Sequence, residues 1–565
     1  MKLPRALFPF PAVAALGMLL ASAPATAQDT AEGYAISNDA VIDNCSSCHR
    51  VDDEGRMSRI SFLRKTPEGW QTSIRRMVAL HGASLSQNDA RDIARYLANE
   101  QGLAPEELRP GLFEVERRVT LHDYEGDSGV EFTCIQCHTM GRVITQRRPK
   151  EEWALLLTTH RALYPLVDGQ AFRNRDRGGG GDDGINQAHP MDVAIDHLSE
   201  VFPLETPEWS AWAATKRAPR LTGTWALSGH EPGRGPIHGT VTIVADRDDA
   251  EVFTSSADYV YAESGERVRR TGEALVYTGY QWRGRSNPGS ADELREVMFV
   301  ERDQQSMTGR WFRGDYDEFG PDVTLRRVSA SVVTGIHPRA VQRGTPVDVT
   351  IYGSGLAAAS APDLDFGAGV TVTNVRGPAN SALTVRLNIA EEALVGGRDL
   401  FAYGSLVEDA LVVHDGVDRI EVTPQAGMAR TGGAAFPKAY QVFEALGFDD
   451  GPDGEPDTED DLALGRVEVS WGMEEYAAIF GDDDIEYVGT INQDGTVIPA
   501  EDGPNPNRPG LQNNIGDVWV VATHARSEME PLTARAHLIV TVPLYMRWEP
   551  WRPIDAPPPV SQEDR

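Results

Sequence analysis

The chain has 565 residues, and at roughly 150 residues per domain this length predicts about three or four domains and excludes a single small binding module. Hydrophobic residues make up 41% and charged residues 24%, with 54 glycines and 36 prolines, which is typical of a globular, turn-rich chain and not of a disordered or fibrous one. The formal net charge of −32 repels polyanions and argues against nucleic acid as a partner.

The N-terminus has the organisation of a secretory signal peptide. Lys2 and Arg5 precede an apolar run, and the stretch ends in small residues up to Ala27, after which we expect cleavage. An N-terminal membrane anchor is the alternative, but Pro9 and Pro11 interrupt a run that is shorter than the ~20 residues a membrane span needs. We therefore expect the mature chain to be exported to the periplasm, without a membrane span.

All four cysteines fall into two C-x-x-C-H motifs. The motifs comprise Cys45, Cys48 and His49, and Cys134, Cys137 and His138. Two thiols one helical turn apart can each add to a vinyl group of haem, and the adjacent histidine then binds the iron. The pattern predicts two covalently bound haem c groups, held by these cysteines and histidines. The alternatives are a redox pair, which does not need the histidine, a zinc site, which would want the two pairs close together, or two short disulfides.

An internal repeat suggests the second iron ligand of each haem. Trp70 precedes Met77 by seven residues, and Trp153 precedes His160 by the same interval, so on a helix each pair shares one face. We therefore predict Met77 as the second ligand of the first haem and His160 as that of the second. The thioether-ligated haem should have the higher reduction potential.

Other residues compete for these positions. A methionine at helical spacing from a tryptophan is also typical of a packed core, in which case His81 replaces Met77 as the ligand. The rivals for the second site are Met140, His189 and Met191. His197 falls where Tyr96 lies in the first repeat, so we interpret it as a packing residue.

Each repeat closes with an amphipathic pattern, over residues 89–97 and 192–198, that predicts a helix. The second repeat also carries three arginines within 173–177, followed by glycines at 178–181. These glycines lack the Lys-Ser/Thr that completes a phosphate-binding loop. We expect a flexible surface loop, with a docking contact at a haem edge as the alternative; its arginines could neutralise haem propionates.

From about residue 221 the sequence changes to short alternating runs between turn residues, as in β sandwiches and barrels. We expect an antiparallel barrel with a packed interior and no titratable cluster inside it, with a ligand-holding interior as the alternative. The run from Val347 to Leu356 resembles the start of an immunoglobulin-like domain of the transcription-factor type, and a second sandwich is expected from Ile420 to about Trp548. The expected order is a signal peptide (1–27), an all-α di-haem cytochrome c domain (28–216, with repeats at about 28–112 and 113–216), an antiparallel β barrel (217–328), two immunoglobulin-like sandwiches (329–416 and 417–550) and a flexible tail (551–565).

An acidic loop at residues 449–461 alternates carboxylates with glycine. Such a loop can wrap Ca²⁺, but this one does not keep the EF-hand spacing, in which a glutamate closes the loop at the twelfth position. We expect a solvated acidic loop and leave calcium binding as the alternative.

Two C-x-x-C-H sites, each followed by a tryptophan-containing helix and then by three β domains in series, resemble the α subunit of quinohemoprotein amine dehydrogenase. The most specific part of the resemblance is the stretch 65–70, leading into Met77 and His81. The β domains match in order and size more than in motif. The resemblance covers nearly the whole mature chain.

This resemblance implies a subunit with two c-type haems that associates with a seven-bladed propeller β subunit and a small γ subunit. Electrons would pass from a cysteine tryptophylquinone on the γ subunit to a cupredoxin or a soluble cytochrome c. The assembled enzyme would oxidise primary amines to aldehyde and ammonia, while this chain would carry electrons and hold no catalytic residue. All four cysteines here are committed to haem, so none remains to form the quinone crosslink.

Three other functions stay open. The chain could be a free-standing di-haem cytochrome of the periplasm, or an exported sandwich protein that binds carbohydrate or a cell surface and carries an electron-transfer head. A di-haem peroxidase would need an open iron position, whereas both predicted sites find a second ligand.

Overall fold

The computed structural model describes residues 32–112, 126–135, 138–172, 189–313, 319–356, 360–379, 381–433, 436–477, 483–527 and 529–543. The predicted signal peptide, Cys137, the arginine–glycine stretch at 173–181 and the tail at 551–565 lie outside the described residues.

The N-terminal region is helical. Its described α-helices are α1 (Asp39–Cys45), α2 (Pro67–His81), α3 (Gln87–Glu100), α4 (Pro105–Leu108), α5 (Ser128–Cys134), α6 (Gly141–Ile144), α7 (Lys150–Leu163), α8 (Pro190–Val201) and α9 (Pro207–Thr215). Short 3₁₀ helices lie at Ile60–Phe62, Arg109–Gly111 and Pro165–Asp168, and further along the chain at Ala361–Asp363, Asp484–Glu486 and Pro509–Leu511. Within these described residues, no helix is long and apolar enough to cross a bilayer.

The helices form two similar units. In each unit a seven-residue helix, α1 or α5, begins at an Asn or Asp N-cap, buries one valine and ends on the first cysteine of a motif. The longer helices α2 and α7 follow and pack against α3 and α8. These four contain the tryptophan–ligand pairs and the two amphipathic patterns, which confirms the helices predicted for them.

Local sequence explains where the longer helices begin and end. Thr66 caps α2 by accepting a hydrogen bond from the Gly69 amide, and Pro67 occupies the first turn, where its missing N–H is not needed. Gly82 ends this helix in a left-handed conformation (φ 71°) that favours glycine. Trp70 and Trp153 are fully buried. Each indole N–H donates to a backbone carbonyl, so the two units pack around equivalent tryptophans.

A two-stranded sheet joins the two units. Strands β1 (Arg64–Lys65) and β2 (Gln146–Arg147) pair antiparallel, with Arg64 opposite Arg147. Both arginines bind the carboxylate of Glu107, at 2.7 and 3.0 Å. Burial opposes ionisation of Glu107, but the hydrogen bonds and charges of the two arginines outweigh it and lower the pKa of this carboxyl group. One carboxylate therefore ties together equivalent positions of both units.

Eight antiparallel strands then close a barrel, which confirms the predicted one. They are β3 (Gly223–Glu231), β4 (Gly235–Ala245), β5 (Val252–Tyr261), β6 (Arg267–Tyr277), β7 (Gln281–Ser286), β8 (Leu294–Val300), β9 (Ser306–Phe312) and β10 (Asp322–Arg327). Consecutive strands pair, and β10 closes the barrel between β9 and β3. Large aromatic side chains, including Trp225, Trp282 and Trp311, fill the core.

The expectation that the barrel holds no titratable cluster is wrong. Arg270, Ser286 and Glu296 line a small space inside it beside Trp282. Arg270 donates to the Ser286 hydroxyl at 2.9 Å, and the Trp282 indole donates to Glu296 at 2.9 Å. Strand alternation points every second residue inward whatever its polarity, and these residues occupy inward positions. Burial raises the pKa of Glu296 to about 7.

Replacing Glu296 with glutamine is expected to stabilise the protein at pH 8 and to have little effect at pH 5. The pKa of Glu296 rises from 4.5 to about 7 on folding, so between these values the native chain keeps a proton that the unfolded chain loses. The free energy of unfolding therefore falls as pH rises through this window, by about 3 kcal/mol. Urea unfolding of both proteins at both pH values measures this, and an equal effect at pH 5 and pH 8 would contradict it.

The haem-motif region is bound to the barrel by buried and partly buried ion pairs. Glu68 of α2 accepts hydrogen bonds from Arg283 at 2.6 Å and Arg295 at 3.1 Å, both on barrel strands. Arg95 of α3 contacts Asp249 and Glu251 at the start of β5. The first helical unit therefore rests directly on the barrel.

Two further β regions follow. Strands β11 (Val332–His337), β12 (Ala340–Gln342), β13 (Val347–Ser354), β14 (Leu364–Asp365), β15 (Val370–Ala379), β16 (Ala382–Ile389), β17 (Gly396–Ala402) and β18 (Ser405–His414) form two four-stranded sheets, ordered β11-β13-β16-β15 and β12-β18-β17-β14. One apolar cluster draws residues from both sheets. The immunoglobulin-like type of this region stays a prediction.

The last β region has three sheets in its described part. Strands β19 (Arg419–Thr423), β20 (Ala426–Arg430), β21 (Gln441–Val442), β22 (Glu444–Asp449), β23 (Leu462–Arg466), β24 (Ser470–Glu475), β25 (Gly489–Ile491), β26 (Thr496–Pro499), β27 (Gly516–His524) and β28 (Leu532–Thr541) are ordered β19-β22-β23, β20-β28-β27-β24 and β21-β26-β25. The sandwich prediction for this region likewise stays a prediction.

The acidic loop at 449–461 surrounds an arginine. The Arg419 guanidinium contacts the carboxylates of Asp450, Asp457 and Asp461. A positive side chain thus lies among the carboxylates that the sequence offered as a possible calcium site. Calcium binding by this loop stays an untested alternative.

Candidate functional site

The first C-x-x-C-H motif forms a tight turn at the end of α1. The amides of Cys48 and His49 both donate to the carbonyl of Cys45, at 3.1 and 2.9 Å. Cys45 is half-buried and Cys48 is exposed, and both thiols are free. Burial and the neighbouring Cys48 raise the pKa of the Cys45 thiol. The turn places two reduced thiols side by side, without the short disulfide that was one alternative.

His49 is held in a single tautomer. Its Nδ1 lies 2.8 Å from the carbonyl oxygen of Ser58, and because a carbonyl only accepts, Nδ1 carries the proton. In the neutral imidazole the lone pair is then on Nε2. A backbone carbonyl on Nδ1 is the usual support of a histidine that binds metal through Nε2.

The second motif begins in the same way. Cys134 ends α5 and is half-buried, and Cys137 lies outside the described residues. Nδ1 of His138 donates to the carbonyl of Thr139 at 2.9 Å, which again leaves Nε2 unprotonated. Burial, with smaller contributions from Arg142 and His160, lowers the pKa of His138 to about 4, so the imidazole stays neutral. Neutral imidazole is the form that binds iron.

His160 faces His138 across the second unit. Their ring centres are 6.3 Å apart. A metal between two imidazoles needs about 2 Å for each bond to nitrogen and about 1 Å from nitrogen to ring centre, or roughly 6 Å in total. His160 donates from Nδ1 to the carbonyl of Leu156 at 2.9 Å, which frees its Nε2 as well. The two residues therefore fit the iron of a haem.

The rivals of His160 occupy other roles. Met140 is fully buried in the apolar cluster around Trp153, and Met191 packs against that cluster. His189 caps α8, and its Nδ1 accepts a hydrogen bond from the Met191 amide at 3.2 Å. In this tautomer the proton of His189 is on Nε2, which cannot then bind a metal. The geometry favours His160.

Near the first motif, Met77 is half-buried in the penultimate turn of α2, and His81 is the exposed last residue of that helix. The side chain of Met77 is thus partly shielded from solvent, whereas His81 is not. His81 projects from a helix end that finishes at Gly82. The placement favours Met77.

In the described part of the chain, no three His, Cys, Asp or Glu side chains converge into a group that could hold a metal ion. Cys137, which a zinc site of two cysteine pairs would need, lies outside that part. Sequence reasoning did not find the carbonyls of Ser58, Thr139 and Leu156, which fix the three histidine tautomers. Backbone groups leave no residue-type signal, so only the fold reveals them.

Paired cysteines with oriented histidines in a helical region, ahead of a barrel and further β sheets, define a multidomain haem-binding electron-transfer protein. The chain belongs to the family of the quinohemoprotein amine dehydrogenase alpha subunit, an oxidoreductase subunit that works with other subunits. The family's haem-binding domain matches residues 36–209, and its domains II, III and IV match residues 218–328, 330–415 and 420–552. The resemblance found in the sequence is confirmed.

No curated protein matches the chain. Among solved structures, a redesigned β barrel is 13% identical over 19% of this chain and 92% of its own, with a TM-score of 0.16. The mixed-linkage glucan utilization locus protein SGBP-B of Bacteroides ovatus, in complex with a mixed-linkage heptasaccharide, is 11% identical over 58% of this chain and 68% of its own, with a TM-score of 0.18. At these TM-scores neither likeness bears on function.

Proposed function

We propose that this chain is the di-haem electron-transfer subunit of a periplasmic amine dehydrogenase. It receives electrons from a cysteine tryptophylquinone on a small γ subunit and passes them to a cupredoxin or a soluble cytochrome c. The observation that carries the proposal is the facing pair His138 and His160, 6.3 Å apart and both with Nε2 free, within a chain of this family.

In this proposal the two haems are covalent. Cys45 and Cys48 hold the first, and Cys134 and Cys137 hold the second. His49 and His138 bind the irons from the motif side, and Met77 and His160 from the other. The bound haems supply reversible one-electron chemistry, and the chain supplies ligands, burial and orientation.

The amine-oxidising site lies on another subunit in this proposal. The predicted haem bonds use every thiol of the chain, so no cysteine is left to crosslink to a tryptophan. A propeller-type β subunit and the γ subunit complete the enzyme. Export follows from residues 1–27, with cleavage after Ala27. The two regions after the barrel are proposed as immunoglobulin-like sandwiches.

The complex purified from its native host should contain two further subunits, and a primary amine added without oxygen should reduce both haems. The chain produced alone, with its haems attached, should stay oxidised under the same conditions, because the amine has no quinone to react with. Absorbance of the reduced haem bands measures both reactions.

Purification of the native chain as a single subunit with full haem content would contradict the proposal and favour a free-standing cytochrome. Binding to a polysaccharide that survives deletion of residues 28–216 would favour the surface-binding alternative. Reduction of the isolated chain by amine would contradict the placement of the oxidising site on a partner.

A further inference from the structure

Three arginines meet where the two helical units touch. We call Arg59, Arg76 and Arg148 the arginine cluster. Arg59 precedes a short 3₁₀ helix of the first unit, Arg76 lies in α2, and Arg148 precedes α7 of the second unit. Arg148 is within electrostatic reach of both other guanidinium groups. The cluster is unusual in a chain whose formal net charge is −32.

The described residues supply the cluster with one carboxylate. The carboxylate of Glu152 accepts a hydrogen bond from Nε of Arg59 at 2.7 Å and lies 3.9 Å from Nη1 of Arg148. Arg76 makes no hydrogen bond or ion pair with any residue that the structure describes. Among the described residues, three positive charges therefore share one negative charge.

Arg148 is the most buried member, with 3% of its side chain exposed. Its Nε donates to the Gln146 side chain at 2.9 Å, and its guanidinium lies 5.6 Å from the ring centre of Trp153. Burial, together with the charges of Arg76 and Arg59, lowers the pKa of Arg148 to about 9, although Glu152 opposes this. A buried charge with so little compensation is costly unless an anion is bound beside it.

The cluster lies beside the predicted haem ligands. Arg76 directly precedes Met77 in the chain, and the charges of Arg76 and Arg148 reach the ring of His160. Haem carries two propionate groups on one edge. Two arginines whose charges are only partly neutralised equal the two propionates in number and are opposite to them in charge. Arginine also binds carboxylates through paired N–H groups.

We propose that Arg148 and Arg76 bind the propionates of the haem held by His138 and His160, and so raise its reduction potential. This inference rests on the proposed function. A neighbouring positive charge destabilises Fe(III) relative to Fe(II), and burial strengthens that effect. The arginines at 173–177, suggested for this role by the sequence, lie outside the described residues.

The test compares haem potentials in the full mature chain, produced with haems attached, by optical redox titration between pH 5.5 and 8.5. In R148Q at pH 8 the reduction potential of one haem should fall by about 59 mV. For a one-electron couple this corresponds to a tenfold change in the Fe(III)/Fe(II) ratio. The freed propionate should then take up a proton as pH falls, so this potential should approach that of wild type near pH 5.5. Among the described residues, the charged or titratable groups that act on Arg148 or contact His160 are Arg59, Arg76, Glu152, His138 and Tyr164, and Arg142 acts on His138.

Two further variants separate charge from packing. R148K keeps the charge and should shift the potential less than R148Q. Arg269 is 84% exposed and pairs with Asp258 on the barrel, so R269Q should leave both potentials unchanged. If R148Q does not fold, R76Q, at a less buried position, should give the same new pH dependence.

Unchanged potentials and pH profiles in haem-loaded R148Q and R76Q would overturn the inference and leave the proposed function standing. An equal, pH-independent shift in R148Q and R148K would also overturn it, because a packing defect would then explain the result. A wild-type chain without bound haem would instead overturn the proposed function.

Discussion

Replacing Cys134 and Cys137 with alanine is expected to halve the covalent haem of the chain and to leave a remaining haem with the far-red band of thioether–iron ligation. The second motif has lost its attachment thiols, while the first keeps Cys45, Cys48 and His49 in the turn after α1. Haem content per chain, measured after acid–acetone extraction, and the far-red spectrum together give the result.

The reciprocal replacement of Cys45 and Cys48 should also leave one haem, but without the far-red band, because His138 and His160 would be the only iron ligands. Ser47 lies between the first two cysteines, and S47A should keep both haems. Two haems in either double variant would contradict covalent attachment at that motif. A far-red band in the wrong variant would show that Met77 and His160 have been exchanged or misjudged.

Replacing Glu107 with alanine is expected to destabilise the helical region by about 3–5 kcal/mol. The change leaves Arg64 and Arg147 buried without their shared carboxylate, and removing one partner of a buried ion pair costs far more than the pair contributes. Thr206 also loses its acceptor, at 2.9 Å. Urea unfolding followed by haem absorbance reports this region separately from the β domains.

Glu54 provides the matched control. It also pairs with an arginine, Arg56 at 2.8 Å, but its side chain is 66% exposed. Water and salt screen such a pair, so E54A should leave the unfolding midpoint nearly unchanged. Equal midpoints for E107A and E54A would show that the buried carboxylate does not hold the two units together.

The motifs and helices could be predicted because their causes are local. Each C-x-x-C-H motif needs only five neighbouring residues, and the seven-residue interval from Trp70 to Met77 fixes a shared helix face whatever lies around it. Strand alternation with closely spaced turns likewise indicated β domains from residue 221 onward.

Contacts between distant residues could not be predicted in this way. Glu107 meets arginines 43 and 40 residues away, and nothing in its local sequence distinguishes it from a surface glutamate. The inward positions of Arg270 and Glu296 could not be predicted, because charged side chains in a strand usually face water. Their inward positions depend on the register of β6 and β8 around the closed barrel.

The pairing of β1 with β2 through a common carboxylate has a kinetic consequence. Electron tunnelling slows steeply as two redox centres move apart, so in the proposed di-haem subunit a hinge between the helical units would make the transfer rate fluctuate. Arg64 of one unit and Arg147 of the other bind the same carboxylate, Glu107, and this restricts movement between the two units. If each unit holds a haem as proposed, the distance between the two haems is thus fixed when the chain folds.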